Sequence, residues 1–300
     1  MKLCEGRVAI VSGAGRGLGR AHALMLARHG AKVVVNDLGS SAAGIGRDAT
    51  PAEEVVAEIR ALGGEAVVDT SDVSDWSGAQ AMIERAVASF GRLDILVNNA
   101  GILRDRMLVN MTEDEWDSVI KVHLKGTFAP THHAANHWRR QHKAGQAVDA
   151  RVINTSSHSG LFANIGQANY AAAKAGIASF SIVAARELQR LGVTVNAIAP
   201  RAETRMTSGL RGELAPEVVA RRDPAWIAAL VTWLASPEAR HVSGKVFEAW
   251  GYGYTVAESW QHGAITPASQ DPTELGPKID EIVRFSRKNA GIDRDTWLDV

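Results

Sequence analysis

Residues 8–19 read VAIVSGAGRGLG, and this stretch decides the fold. The apolar, largely β-branched run 8–11 has the length and composition of a buried strand. After Ser12 comes the turn Gly13-Ala14-Gly15-Arg16-Gly17-Leu18-Gly19, which runs into apolar residues of helical period at 18–28. Glycines permit positive φ and let backbone N–H groups approach a bound anion closely. The N-terminus of the following helix adds the positive end of its dipole. The spacing of Gly13, Gly17 and Gly19 departs from the usual G-x-G-x-x-G, so the reading rests on position. A glycine-rich turn at the first strand–helix junction reads as a cradle for the pyrophosphate of a dinucleotide, built from Gly13, Arg16, Gly17, Leu18 and Gly19.

Further along the chain, short β-rich runs alternate with longer helical patterns. The strands are expected at 8–11, 32–36, 65–68, 95–98, 152–155, 193–198 and 245–248. Between them, 3.6-residue apolar spacing predicts helices at 18–28, 52–62, 76–90, 113–141, 170–190 and 225–234, with Thr112 and Glu115 forming a capping box for the fourth. Unbroken apolar strands alternating with helices imply a parallel sheet covered on both faces by right-handed crossovers. The expected fold is therefore α/β, a Rossmann-like doubly wound parallel sheet of about seven strands in a single domain at 1–256. Ligands of such sheets sit at the carboxyl ends of the strands. The Gly/Ser/Ala-rich connection 38–50 reads as an insertion beside the cofactor. Beyond residue 257 the rhythm fades into an extension to residue 300, where three prolines lie within 267–277 and 278–289 has the pattern of one short amphipathic helix.

Asp37 stands at the end of the second strand, eighteen residues after Gly19. A carboxylate there can accept both hydroxyls of an adenosine ribose and repels a 2′-phosphate, while Asn36 and Leu38 offer no cation. NAD is therefore expected over NADP, and Arg16 and Arg47 are the cations that would reverse this by reaching the ribose. Tyr170 and Lys174, four residues apart in a helical stretch, share one helix face. An ammonium beside a phenol is expected to lower a pKa that starts near ~10, which suits the phenol to exchange protons with an alcohol or ketone.

Composition excludes several classes. Lys+Arg and Asp+Glu both number 33, so no net field recruits nucleic acid or an anionic membrane. The lone Cys4 rules out an internal disulfide or a multi-cysteine zinc site and fits a reducing compartment. The first apolar run is too short for a signal peptide or membrane span, so a cytoplasmic protein is expected. His132, His133, His137 and His142 crowd one helix end, but no Glu falls between them in zinc-protease fashion, and no metal is expected. His158 next to Ser157 does not read as a hydrolase pair, because adjacent residues leaving a strand point opposite ways. Ser156 and Ser159 read as loop hydrogen-bonders.

The glycine turn, Asp72-Val73, Asn98-Asn99-Ala100-Gly101, Ser157, Tyr170-x-x-x-Lys174 and 196–200 occur in one order, and together they resemble the short-chain dehydrogenases/reductases. The resemblance spans about residues 6–253. It is greatest to the (3R)-hydroxyacyl-CoA dehydrogenase part of peroxisomal multifunctional enzymes, through VVVNDLG (33–39), GILRDR (101–106), GQANY (166–170) and RMT (205–207). The resemblance implies that Asp72 and Val73 border the adenine, that Asn98 lies against the adenosine ribose with Gly101 allowing close backbone approach, and that Ala100 also binds the cofactor. Ser157 would hold the substrate oxygen, Tyr170 would be the acid/base, and Lys174 would hold the nicotinamide ribose. His123 stands where many members have an asparagine of a proton relay, so relay and packing are both open for it. Pro200 is followed by Arg201 where a glycine is usual, and Thr204 is the choice for the nicotinamide carboxamide, with Thr207 or backbone groups as substitutes.

The function implied is NAD-dependent interconversion of a secondary alcohol and a ketone on a 3-hydroxyacyl-CoA or steroid-like substrate. An NADPH-dependent 3-oxoacyl-thioester reductase and a non-catalytic dinucleotide-binding regulator are the alternatives. Segments 103–110 and 161–165, with Phe162, Met206 and Leu210, are expected to shape an apolar pocket. Small residues crowd the Tyr170 helix, and by resemblance the chain is expected to form a homodimer or homotetramer.

Overall fold

Every residue of β1 (Val8–Ser12) is buried. It pairs in parallel with β2 (Lys32–Asn36) on one side and β4 (Ile95–Asn98) on the other. Strands covered on both faces have no solvent side to alternate toward, which is why they read as continuous Val/Ile/Leu runs. β3 (Ala66–Asp69), β5 (Ala150–Thr155), β6 (Val193–Pro200) and β7 (Val246–Trp250) extend the parallel sheet. The strand order is β3-β2-β1-β4-β5-β6-β7-β8, a doubly wound sheet that reverses direction between β1 and β4. The structure, a computed structural model, describes residues 2–202, 215–258, 260–285 and 290.

The sheet has one strand more than the seven expected. β8 (Gly253–Val256) turns back tightly and pairs antiparallel with β7. It is four residues long and alternates between half-buried and exposed positions, too short a run to announce itself.

One face of the sheet is covered by α1 (Gly17–Arg28), α2 (Thr50–Ala61) and α9 (Pro224–Leu234). The other is covered by α3 (Trp76–Phe90), α5 (Gly126–Lys143) and α7 (Ala168–Leu188). Capping is local and explicit: Asp75 accepts from the Gly78 N–H, and Thr112 and Glu115 form the full capping box of α4 (Glu113–Val119). The single helix expected over 113–141 is instead α4 and α5 joined by a π-helical segment, Ile120–Lys125. Such widened turns occur often at functional sites, and this one carries His123. The connection 38–49 reaches across to the chain after β4: the Leu103 N–H donates to the Ala42 carbonyl (3.0 Å) and Arg104 Nε to the Ala43 carbonyl (2.9 Å). Two short helices, α6 (His158–Phe162) and α8 (Pro216–Ala220), follow β5 and precede α9.

Residues Met1–Ala257 form one compact unit and Glu258–Val300 a second. The second contains α10 (Leu275–Phe285), on which Ile279, Val283 and Phe285 are exposed. Among the described residues, no helix is long and apolar enough to cross a membrane.

His22 lies fully buried in α1 with neither ring nitrogen hydrogen-bonded among the described residues. Burial pushes its imidazole from 6.5 down to about 3. Between those values only the unfolded chain binds the proton, so the stability this residue allows falls as pH drops below about 6.5. His22→Phe should therefore raise the melting temperature more at pH ~5 than at pH ~8. Calorimetry of both proteins at the two pH values checks this. An equal change at both would show that His22 does not titrate as described.

Candidate active site

The carboxyl ends of β1 and β4 are tied together by side chains. Ser12 Oγ accepts from the backbone N–H groups of Asn99 (3.0 Å) and Ala100 (3.1 Å). Asn99 Nδ2 donates to the carbonyls of Ser12 (3.0 Å) and Gly13 (3.2 Å). The glycine turn is thereby pinned to the chain leaving β4. Gly13 and Gly17 take positive φ, +63° and +54°. A Cβ on Gly19 would collide with the Gly13 carbonyl oxygen, so the turn fits tightly over the first turn of α1. The exposed Arg16 sits at its N-cap and Leu18 inside that first turn. Asp37 follows β2 and folds over this turn, its two oxygens accepting from the N–H groups of Gly15 and Gly39, each at 2.7 Å. Carboxylate oxygens have further acceptor capacity. A glycine cradle at a helix N-terminus, beside a carboxylate with lone pairs to spare, fits a dinucleotide's pyrophosphate and ribose.

Ser157 leaves β5 as the N-cap of α6, and its hydroxyl is near enough to the Tyr170 phenol from α7 to influence its ionisation. Lys174, one turn further on, places Nζ over the Tyr170 ring, 5.5 Å from its centroid, and donates to the Thr155 carbonyl at 2.6 Å. Ser156 Oγ, just past β5, donates to the Lys174 carbonyl (2.8 Å), so the end of β5 and the residue after it hold both ends of the lysine. From the π segment, His123 packs edge-on to Tyr170 with ring centroids 5.1 Å apart. Its Nε2 lies 3.0 Å from the Ile102 nitrogen and 2.7 Å from the Ile102 oxygen, and Gly101 lacks the Cβ that would strike this ring.

The electrostatics run opposite to the sequence expectation. The protein packed around Tyr170 pushes its phenol up to about 12, with the Ser157 hydroxyl acting against this and the Asp105 charge adding to it. Burial likewise pulls Lys174 down to about 7. Loss of water disfavours the charged form of each. His123 is pushed down to about 3 by burial and by Lys174, so its imidazole is neutral.

Three expected contributors have side chains engaged within the protein. The Asn98 side chain is buried, and its Nδ2 donates to Thr131 Oγ1 (3.0 Å) and Asn154 Oδ1 (2.8 Å). It ties β4 to α5 and β5 and is turned away from the turn; β4 is buried on both faces, so its last side chain points into the core. Val73 is likewise core, while the Asp72 carboxylate accepts from the Ser74 N–H and hydroxyl, shaping the loop after β3. Pro200 ends β6, paired with Ala249. Thr204, Met206, Thr207 and Leu210 lie outside the described residues. His158 faces the Glu248 carboxylate, 2.8 Å away.

The model of the short chain dehydrogenase family matches residues 7–214. The chain belongs to the short-chain dehydrogenase family. It is 47% identical over 284 residues to hydroxyacyl-CoA dehydrogenase ChsB1 of Mycobacterium tuberculosis, covering 90% of this chain and 86% of that one. It is 41% identical to mouse peroxisomal multifunctional enzyme type 2, covering 89% of this chain but only 35% of that protein. A crystal structure of a short chain dehydrogenase from Mycobacterium avium superposes with a TM-score of 0.87 at 50% identity, over 96% of this chain and 98% of that one. The protein is thus an oxidoreductase acting on CH–OH groups, of a family that binds NAD(P).

Several residues that build the site of this dehydrogenase stand in the sequence only inside longer motifs. Ser12 and Asn99 make the clasp, and the fully buried Asn169 donates from Nδ2 to the carbonyls of Arg104 (3.0 Å) and Glu115 (2.9 Å). Gln167 and Asp105 form another link across the site. Polar residues packed between strand ends were the available signal, but their partners are tens of residues distant.

Lys174 is held at a cost to stability. Its depressed pKa means the unfolded chain binds this proton more tightly between about 7 and 10.5, so stability lost to the residue returns as pH rises through that window. Lys174→Met should therefore raise unfolding free energy at pH 7 by on the order of 2 kcal/mol while abolishing turnover. Urea unfolding at pH 7 and pH 10 checks the sign. A variant less stable than wild type at pH 7 would overturn it.

Proposed function

We propose that this dehydrogenase interconverts a secondary alcohol and a ketone on a 3-hydroxyacyl-CoA or steroid-like substrate, with NAD as its dinucleotide. The observation carrying this is Lys174 seated over the Tyr170 ring and anchored to the Thr155 carbonyl, with Ser157 beside the phenol at the carboxyl end of β5. The name of the M. tuberculosis relative supports the substrate class. When bound, the nicotinamide supplies the hydride acceptor for oxidation and the donor for reduction. Gly13, Arg16, Gly17, Leu18 and Gly19 would hold the pyrophosphate and Asp37 the ribose hydroxyls, with Leu38, Asp72, Val73, Ala100, Gly101, Pro200 and Thr204 around the remainder.

The chain's own residues divide the proton chemistry. Ser157 donates to the substrate oxygen and orients it. Tyr170 exchanges a proton with that oxygen: it gives one up in reduction and takes one in oxidation. Lys174, when charged, offsets the burial that disfavours the phenolate. His123 stays neutral and fixes the turn after β4 against the Tyr170 ring. Asp37 supports NAD, and Arg16 shares its surroundings with Asp48, a carboxyl held low mainly by Thr50 with Arg16 adding to this. The neutral phenol also favours a second reading, 3-oxoacyl-thioester reduction with NADPH, since a phenol that keeps its proton is ready to donate it.

Wild-type protein mixed with NAD and a panel of 3-hydroxyacyl-CoAs and hydroxysteroids should generate reduced-cofactor absorbance, and Tyr170→Phe should lower kcat by about 10²–10⁴. Undiminished turnover of Tyr170→Phe refutes the proton role, and a higher kcat/KM with NADPH refutes the NAD assignment. Exposed Phe128 and Val183, on α5 and α7, with exposed Ala172, Ala175 and Ser179, support pairing of two copies into a homodimer or homotetramer. Light scattering should give a mass of two or four chains, and a single-chain mass would exclude this.

A further inference from the structure

Between the chain after β4 and the start of α7 runs a line of side-chain hydrogen bonds that ends on Ser157. Gln167 Nε2 donates to Asp105 Oδ2 at 2.8 Å. Gln167 Oε1 accepts from Ser159 Oγ at 2.7 Å and from Asn164 Nδ2 at 3.0 Å. The Ser159 N–H donates to Ser157 Oγ at 3.2 Å. Gln167 and Ser159 are both buried, 8% and 7% exposed, so these polar atoms depend on one another for partners.

The polarity of the line is set at its Asp105 end. A carboxylate only accepts, so Asp105 fixes which end of the Gln167 amide carries the NH₂. Oε1 then faces Ser159, whose hydroxyl must donate to it. With Ser159 so held, its backbone N–H occupies a lone pair of Ser157 Oγ. The Ser157 proton is left for donation elsewhere, on the side where Tyr170 lies. The backbone reinforces this bridge: the Arg106 N–H donates to the Gly166 carbonyl at 2.8 Å, and Arg106 and Gln167 form a parallel β-bridge. Between Ser159 and Gln167, Ala163 takes φ +60° and ψ 156°. That conformation costs an alanine on the order of 1–3 kcal/mol, so the neighbouring bonds must hold the loop there.

We propose that Gln167, its amide locked by Asp105, is a positioning residue for Ser157, setting the direction in which Ser157 donates its proton. The inference deepens the reading of Ser157 as the group that orients the substrate oxygen, and it rests on that reading.

Gln167→Glu turns the acceptor end of Asp105 against a second carboxylate, and kcat should fall about tenfold with KM changed less than about twofold. Asp105→Asn combined with Gln167→Glu rebuilds the line with the charge exchanged. The asparagine amide donates to one glutamate oxygen and Ser159 to the other, and kcat should return to within about threefold of wild type. A melting curve of each variant accompanies the kinetics. Should Gln167→Glu not fold, Ser159→Ala, which removes the hydroxyl link and leaves the Asp105 charge and the Gln167 amide unaltered, should show the same loss of kcat.

Wild-type kcat in Gln167→Glu or in Ser159→Ala overturns the proposal. So does a rise in KM at unchanged kcat, which would make Gln167 a substrate contact. A folded double variant no faster than Gln167→Glu also overturns it. Wild-type protein inactive on every alcohol of the panel would instead refute the function reading, so the two failures are distinguishable.

Discussion

β1 and β4 lie side by side with hydrogen-bonded backbones, yet the chains that leave them diverge: one enters the helix α1 and the other crosses toward α4. That divergence opens the only place on a doubly wound sheet where a ligand can enter between two connections. Left to itself the opening would expose backbone groups at both strand ends. The Ser12–Asn99–Gly13 clasp satisfies them and fixes the separation of the two chains. The glycine turn, the folded-over Asp37 and the segment from Gly101 onward are all placed relative to that clasp. Ser157, just past the end of β5, and Tyr170 and Lys174 on α7 lie one strand further across the sheet.

Burial then decides the charge states. A phenol and an ammonium brought together in water would stabilise each other's ionised forms, and helical spacing alone predicts that outcome. Inside this site burial pushes the phenol up to about 12 and the lysine down to about 7. The hydrogen bond from Lys174 to the Thr155 carbonyl shows how the pair is held without mutual charge: the lysine is anchored to β5, not to the phenol oxygen. Its ammonium sits over the ring face, where attraction comes from the ring quadrupole. Tuning a tyrosine by a neighbouring lysine is therefore a question of how much water is excluded, which spacing in sequence does not encode.

What sequence exposes well is anything with a period or a local chemical signature. The buried strands, the glycine turn, the Thr112/Glu115 box and the Tyr170–Lys174 face all have one, and each lies where its pattern placed it. Features that depend on direction were hidden. Asn98 sits in a motif beside Asn99, but period-2 alternation sends one amide into the core and the other to the turn, and neither residue's identity says which. Features that depend on distant partners were hidden too. Asp105 and Gln167 are 62 positions apart and meet only because β5 and α7 fold the second over the first. The eighth strand is only four residues long, so only its pairing with β7 reveals it.

The π-helical segment is the feature that sequence periodicity most directly misdescribed, and its purpose can be argued from the residue it carries. A regular helix through 113–141 would hold its side chains at 100° intervals along one axis. Widening the turn over Ile120–Lys125 shifts the angular register of the helix and lets His123 enter the core edge-on to Tyr170 while reaching the Ile102 backbone. The histidine thus connects two loops that must stay in register: the turn after β4 and the face that presents the phenol. A charged imidazole there would repel Lys174 and lose hydration. The same burial that raises the tyrosine pushes this histidine down to about 3, so the connection is neutral at physiological pH. Site geometry and site electrostatics therefore have one common cause, the exclusion of water from the space between α7, the π segment and the carboxyl end of β5.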